Sequence, residues 1–154
     1  MEPPVAKIPK IELTFSYAAP PVKVFAALTE ADQLARWFVQ GAVTAPRKGG
    51  VFRLTWGAYT MRGRVRSIDP PRKVVLDWVD RFEDGREVVT KARFDLQKKG
   101  KGTLLTITHS GFKDGKRSIA LFGGIRSGWA YYLTNLRSVL DHGTDLRTEH
   151  DRLG

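Results

Sequence analysis

The stretch from Ile119 to Gly143 reads as one long C-terminal helix, and that helix restricts what everything before it can become. Ile125, Trp129, Tyr132, Leu136 and Leu140 recur at helical spacing, whereas Arg126, Ala130, Arg137 and Asp141 fall on the other side. A helix with one face of bulky apolar residues has to be covered by an apolar surface of matching width. His142 lies in the last turn, and Gly143 can take the left-handed conformation that closes a helix. Gly123, Gly124 and Gly128 each cost about 1 kcal/mol of helix propensity against alanine, so they mark a break or a close approach.

The remainder of the chain supplies the cover. Met1 to Lys10 holds three prolines and reads as an extended lead-in. From Ile11 to Tyr17, apolar and polar residues alternate as in a half-buried strand. Pro20 and Pro21 can open a short helix carrying Val24, Phe25 and Leu28. Thr29 is then expected to cap a second helix with Leu34, Trp37 and Phe38 on its apolar side. After Gly41 the pattern changes to short alternating runs separated by turn residues, the signature of an antiparallel meander. These runs are a brief strand at Ala42 to Ala45, then Val51 to Trp56, Thr60 to Ile68 and a strand with Val74, Leu76 and Trp78 inward and Lys73, Val75 and Asp77 outward. A turn at Asp84 and Gly85 leads into Val88 to Leu96, and Lys98 to Gly102 turns into Thr103 to Ser110. A strand, two helices, several antiparallel strands and a final helix make an α+β fold.

Composition excludes several kinds of function. The 154 residues contain no cysteine, which rules out disulfides, thiolate metal sites and cysteine nucleophiles. No apolar run approaches the ~20 residues of a membrane-spanning helix, and no signal-peptide core is present, so a cytoplasmic protein is expected. The formal charge of +10 favours polyanions without saying where the charge lies.

Catalytic and cofactor motifs are absent. Ser110 to Lys113 matches Ser-x-x-Lys literally, but it sits at a strand end rather than on a helix. Gly124 to Gly128 has arginine where a nucleophile elbow needs serine, and there is no phosphate loop or dinucleotide fingerprint. His109, His142 and His150 lack metal-ligand spacing. Asp77, Asp80, Glu83 and Asp84 are assigned to an outward position or the hairpin loop, where paired catalytic acids are not expected. Neither a cofactor nor a metal is expected.

The order and spacing of several segments resemble a known family. They are Pro20 to Leu28 followed by Trp37 and Phe38, Gly49 to Phe52, Val65 to Pro71, Thr103 to Phe112, Gly128-Trp129, Leu133 to Leu136 and Asp141 to Arg147. Together they resemble the helix-grip, or Bet v 1-like, fold of the START-like (SRPBCC) superfamily, and within it the proteins named after the activator of heat-shock protein 90 ATPase. The resemblance covers Ile11 to Arg147, giving a lead-in at 1–10, one START-like domain at 11–147 and a charged tail at 148–154. It implies a curved sheet gripping the long helix around a cavity that in relatives takes lipids, sterols, polyketides or other apolar molecules. A chaperone ATPase partner and a role in stress response are implied by the family's name alone, and some superfamily members cyclise or hydrolyse what they bind.

Trp37, Phe38, Trp56, Trp78, Phe94, His109, Trp129 and Tyr132 are the candidate cavity-lining residues, all on expected inward faces. Their rings could equally fill a core. His109 shares a strand face with Leu105 and Ile107, where it could orient a ligand or simply bond to a backbone carbonyl or to Tyr132. Arg62, Arg64 and Arg66 alternate onto one face as a basic stripe that could meet a polyanion, although a solvated sheet face explains it more simply and nucleic acid is the weaker expectation. The sequence therefore reads first as a binder of a small apolar or aromatic ligand, with a co-chaperone-like module as the alternative and a cyclase or hydrolase of a bound apolar substrate, or a polyanion binder, as the third reading.

Overall fold

The computed structural model describes residues 7–82 and 84–147. The expected tail from Thr148, the first part of the lead-in, Glu83 and His150 lie outside the described residues. The elements run β1 (Ile11–Tyr17), α1 (Pro21–Thr29), α2 (Ala31–Trp37), β2 (Gly41–Thr44), β3 (Val51–Trp56), β4 (Tyr59–Asp69), β5 (Lys73–Arg81), β6 (Glu87–Lys99), β7 (Gly102–Ser110) and α3 (Lys116–His142). The strands form one antiparallel sheet in the order β1-β7-β6-β5-β4-β3-β2.

The alternation read from the sequence sets the sheet's inner face. Val88, Thr90, Ala92, Phe94 and Leu96 of β6 are all buried, as are Leu105, Ile107 and His109 of β7 and Val74, Leu76 and Trp78 of β5. A register shift between Val65 and Ser67 interrupts β4, and such a bulge bends the strand and increases its twist. Against the inner face lies α3, burying Trp129, Leu133, Leu136 and Val139.

Three local expectations change. The helix begins at Lys116, before Ile119, with Gly115 (φ 121°) at its cap position and no side-chain cap. Thr29 does not cap α2. It ends α1, where its hydroxyl donates to the Phe25 carbonyl (2.9 Å), and Glu30 occupies the cap position of α2. Val75, expected outside, is buried. It lies opposite Arg93 on a central strand, where a long side chain can cover an outward apolar residue with its stem.

The end of α3 matches its reading. Gly143 is left-handed (φ 69°), and the N–H groups of Gly143 and Thr144 bond to the carbonyls of Val139 and Ser138. Beyond it the chain returns to α2. The Arg147 guanidinium donates to the carbonyls of Ala35 and Val39 while pairing with Asp145, and buried Asn135 donates to the Trp37 carbonyl. These bonds occupy carbonyls at the end of α2 and hold Phe38 over the sheet.

Gly102 is needed for a close approach. A Cβ there would collide with the Tyr17 carbonyl, so the β6–β7 turn lies directly on the end of β1. Gly102→Ala is expected to lower stability by about 1–3 kcal/mol through overpacking, read as a lower urea midpoint with an unchanged slope. An unaltered midpoint would show that the turn is not seated as described.

Candidate functional site

Phe38 is where the aromatic side chains meet. Its ring stacks on Trp37 at 4.9 Å and meets Trp56 at 5.0 Å, Tyr132 at 4.9 Å and Trp129 at 5.4 Å. Trp78 approaches Trp129 at 5.1 Å, and Phe94 meets Trp129 edge-on at 5.4 Å. All eight candidate residues are thus brought into one cluster, contributed by α2, β3, β5, β6, β7 and α3.

Only part of that cluster faces open space. Phe38, Trp56, Trp78, Trp129 and Tyr132, with Ile125 and Gly128, line a cavity of about 120 Å³ between sheet and helix. Trp37, Phe94 and His109 stand behind these rings. The chamber is smaller than the ~300–1,000 Å³ of ordinary ligand sites, and comparable with the ~150 Å³ that can hold a benzene ring. Phe38, Trp56 and Tyr132 also line a cleft of about 490 Å³ with Val39, Gln40, Tyr131 and Arg147. Three shared rings therefore separate a nearly filled interior from a wider opening. Among the glycines of α3, Gly128 lines the cavity, and a Cβ there would meet nothing within 4 Å.

His109 has partners other than those anticipated. Neither a backbone carbonyl nor Tyr132 bonds to it. The Trp129 indole N–H donates to Nδ1 at 3.0 Å, and Nε2 lies 2.7 Å from the Thr90 hydroxyl. An Nδ1 that accepts must be bare, so the neutral ring carries its proton on Nε2 and donates it to Thr90. Thr90 in turn donates to an oxygen of Asp80 at 3.0 Å. Trp129, His109, Thr90 and Asp80 thus form a directed chain ending on a carboxylate.

Asp80 corrects the earlier placement among outward and loop carboxylates. It is in phase with Val74, Leu76 and Trp78 and is only 6 % exposed. Period two counted on from Trp78 would have found it. Burial pushes its carboxyl up to about 6, against the opposing effect of the Thr90 hydrogen bond, and burial pulls His109 down to about 3. Thr90 is itself buried and stands between the histidine and the acid, so the hydroxyl occupies the middle place that the base holds in a nucleophile–base–acid triad. Ser110 points away from His109, lying on the other side of β7 opposite Lys91.

The arginine stripe lies on the outer face. Arg53, Arg62, Arg64 and Arg66 are exposed, with Arg53 directly opposite Arg62 and Arg66 paired with Asp77 at 2.7 Å. None lines the aromatic cavity. Among the described residues no group of His, Asp and Glu is arranged to hold a metal, and no helix is long and apolar enough to cross a membrane.

An antiparallel sheet closed over one long helix, with aromatic rings at their junction, defines a helix-grip protein of the START-like, SRPBCC type. Residues 18–141 match the model of activator of Hsp90 ATPase homolog 1-like proteins, and the chain belongs to that family. No curated protein matches the sequence. Among solved structures it is similar to a Mesorhizobium loti protein (21% identity, TM-score 0.79, covering 88% of this chain and 99% of that one). It is similar also to the Aha1 dimer of Colwellia psychrerythraea (21%, TM-score 0.75, 89% and 99%) and to an Hsp90 activator from Plasmodium falciparum (25%, TM-score 0.68, 86% and 96%).

Proposed function

We propose that the protein binds a small apolar or aromatic ligand, with one ring-sized portion in the chamber under Trp78 and Trp129 and the rest in the cleft beyond Phe38, Trp56 and Tyr132. The observation that carries this reading is the chamber itself, an apolar space walled by five aromatic rings and left open at Gly128. An apolar group entering it would gain roughly 25 cal/mol for each Å² removed from water. The ligand would be carried in the cytoplasm and undergo no chemistry, because the titratable group on the chamber wall is the Tyr132 phenol, while His109, behind Trp129, is committed to Asp80 through Thr90.

Gly128 provides the test. Gly128→Ala is expected to stabilise the fold by up to about 1 kcal/mol, because helix propensity improves and no atom is in the way. Gly128→Leu would place its side chain in the chamber. Titration of tryptophan fluorescence with indole, naphthalene and fatty acids is expected to give saturable quenching in the parent protein and none in Gly128→Leu. Quenching that persists unchanged in the leucine variant would remove the chamber from the binding site.

A second reading is supported by the family's description and by the similarity to the Plasmodium falciparum Hsp90 activator. In it the protein contacts a chaperone ATPase and raises its turnover. Stimulation of an Hsp90-type ATPase that Gly128→Leu leaves intact would favour this reading over the ligand carrier.

A further inference from the structure

Phe38, Trp56 and Tyr132 stand between the aromatic chamber and the wider cleft, because all three line both. They are not held alike. Trp56 is the last residue of β3 and Tyr132 lies within α3, whereas Phe38 belongs to the connection from α2 to β2. Moving either of the first two rings away would distort a strand or a long helix. Phe38 can turn aside with a shift of that connection alone.

The connection is fastened by the segment that follows α3. Asn135 is fully buried, and its Nδ2 donates to the Trp37 carbonyl at 2.9 Å and to Oδ1 of Asp145 at 3.0 Å, while its Oδ1 accepts the Leu146 N–H at 2.7 Å. Asp145 grips the Arg147 guanidinium, with Nε 3.0 Å from Oδ1 and Nη2 2.9 Å from Oδ2. The same guanidinium donates to the carbonyls of Ala35 at 3.0 Å and Val39 at 3.2 Å. The carbonyls on either side of Phe38 are therefore both held from beyond α3. Phe38's own carbonyl accepts from Trp56 Nε1 at 3.2 Å.

These fastenings differ in how easily they open. Freeing Asn135 would strand buried polar groups, which is costly. The Arg147 and Asp145 side chains are 25% and 28% exposed, so water can take over the bonds that Arg147 makes to the end of α2. Asn135 is the fixed pivot, and Arg147 is the fastening that can let go. We propose that Arg147, oriented by Asp145, latches Phe38 as a door between cleft and chamber. While the guanidinium holds the Ala35 and Val39 carbonyls, the ring is shut; when those bonds pass to water, the ring turns and a ligand enters or leaves. Arg147 and Asp145 are positioning residues that act through Phe38. The assignment rests on the carrier reading for what passes the door.

The test is fluorine NMR of fluorobenzene, a single ring suited to the chamber, with the full chain. The closed door is the ground state with and without ligand, so loosening the latch lowers the barrier in both directions. Arg147→Ala is therefore expected to speed entry and exit together by at least about tenfold while changing the dissociation constant by less than about threefold. Arg147→Lys reaches one carbonyl at a time and should fall between parent and alanine variant. Asp145→Asn should act in the same direction as Arg147→Ala. If Arg147→Ala fails to fold, these two variants decide. Gly102→Ala, which loosens the fold at the distant corner of β1, is the control for stability alone and should leave the rates unchanged. Exchange rates indifferent to Arg147→Ala, or accelerated equally by Gly102→Ala, would overturn the latch. Fluorobenzene that fails to bind the parent protein would sink the carrier reading instead. The latch is then decided without ligand by hydrogen exchange at the amides of Val39 and Gln40, which bond to Leu34 and Thr55. Their protection should drop at least about tenfold in Arg147→Ala and hold in Gly102→Ala. Equal protection in parent and Arg147→Ala would overturn it.

Discussion

Trp129→Ala is expected to lower the unfolding free energy by about 3–5 kcal/mol, the usual cost of deleting a large buried aromatic. Trp129 is 3 % exposed and meets Phe38, Trp78, Phe94 and His109 with ring centroids 5.1–6.2 Å away. Removing it joins its own volume to the existing chamber, and the surrounding rings come from so many different elements that they can close in only partly. It also takes away the donor to His109 Nδ1, leaving a buried acceptor unpaired. Trp129→Phe separates the two effects, because it keeps most of the ring and loses the N–H. That variant is expected to cost about 1–3 kcal/mol. Urea unfolding of both proteins measures the difference. A loss below about 1 kcal/mol for the alanine variant would mean that α3 does not pack through this residue.

The second large effect concerns pH. Burial holds His109 down at about 3, below its usual 6.5, and holds Asp80 up at about 6, above its usual 3.8. For His109 the unfolded chain takes up the proton first. Its stabilising contribution is complete above pH 6.5 and is lost as pH falls toward 3. For Asp80 the folded chain takes up the proton first. Stability is gained as pH falls through 6, is complete below 3.8, and is lost again as pH rises. Each proton can change stability by at most about 1.4 kcal/mol per pH step. Between pH 6 and 4 the two opposed contributions offset each other in the parent protein. In Asp80→Asn the histidine acts alone, so stability relative to the parent should fall by about 1.4 kcal/mol per pH step across that window. In His109→Gln the sign reverses and relative stability should rise as pH falls. Thr90 and Trp78 also act on Asp80, and Tyr59 feels its charge; all three residues are unchanged in both variants. Parallel stability–pH curves for the parent and Asp80→Asn would show that the buried chain does not titrate in this way.

Why some of this was legible in the sequence, and some not, comes down to the range over which each constraint acts. Periodicity is local, and it determined that Ile125 to Leu140 packs on one side and that Val88 to Leu96 and Leu105 to His109 face inward. Left-handed glycines are local as well, so Gly143 and Gly85 marked a helix end and a hairpin turn. The same local reasoning misplaced Thr29, because a threonine hydroxyl can cap the next helix or bond back to its own, and the sequence is compatible with both. Asp80 reads as part of the polar hairpin loop, although its phase with Trp78 continues the strand and places it inside.

What the tertiary structure alone decided is how distant residues combine. The eight candidate residues were identifiable as inward, yet nothing local says that five of them wall a chamber while Trp37, Phe94 and His109 stand behind. Cavity volume is the small remainder after many side chains pack together, and moving any one of them by an ångström changes it. Likewise the bond between Trp129 and His109, and those from Asn135 and Arg147 to the end of α2, join segments far apart along the chain. Local sequence pattern determined which way each residue faces, and the packing of sheet against helix determined what each one touches.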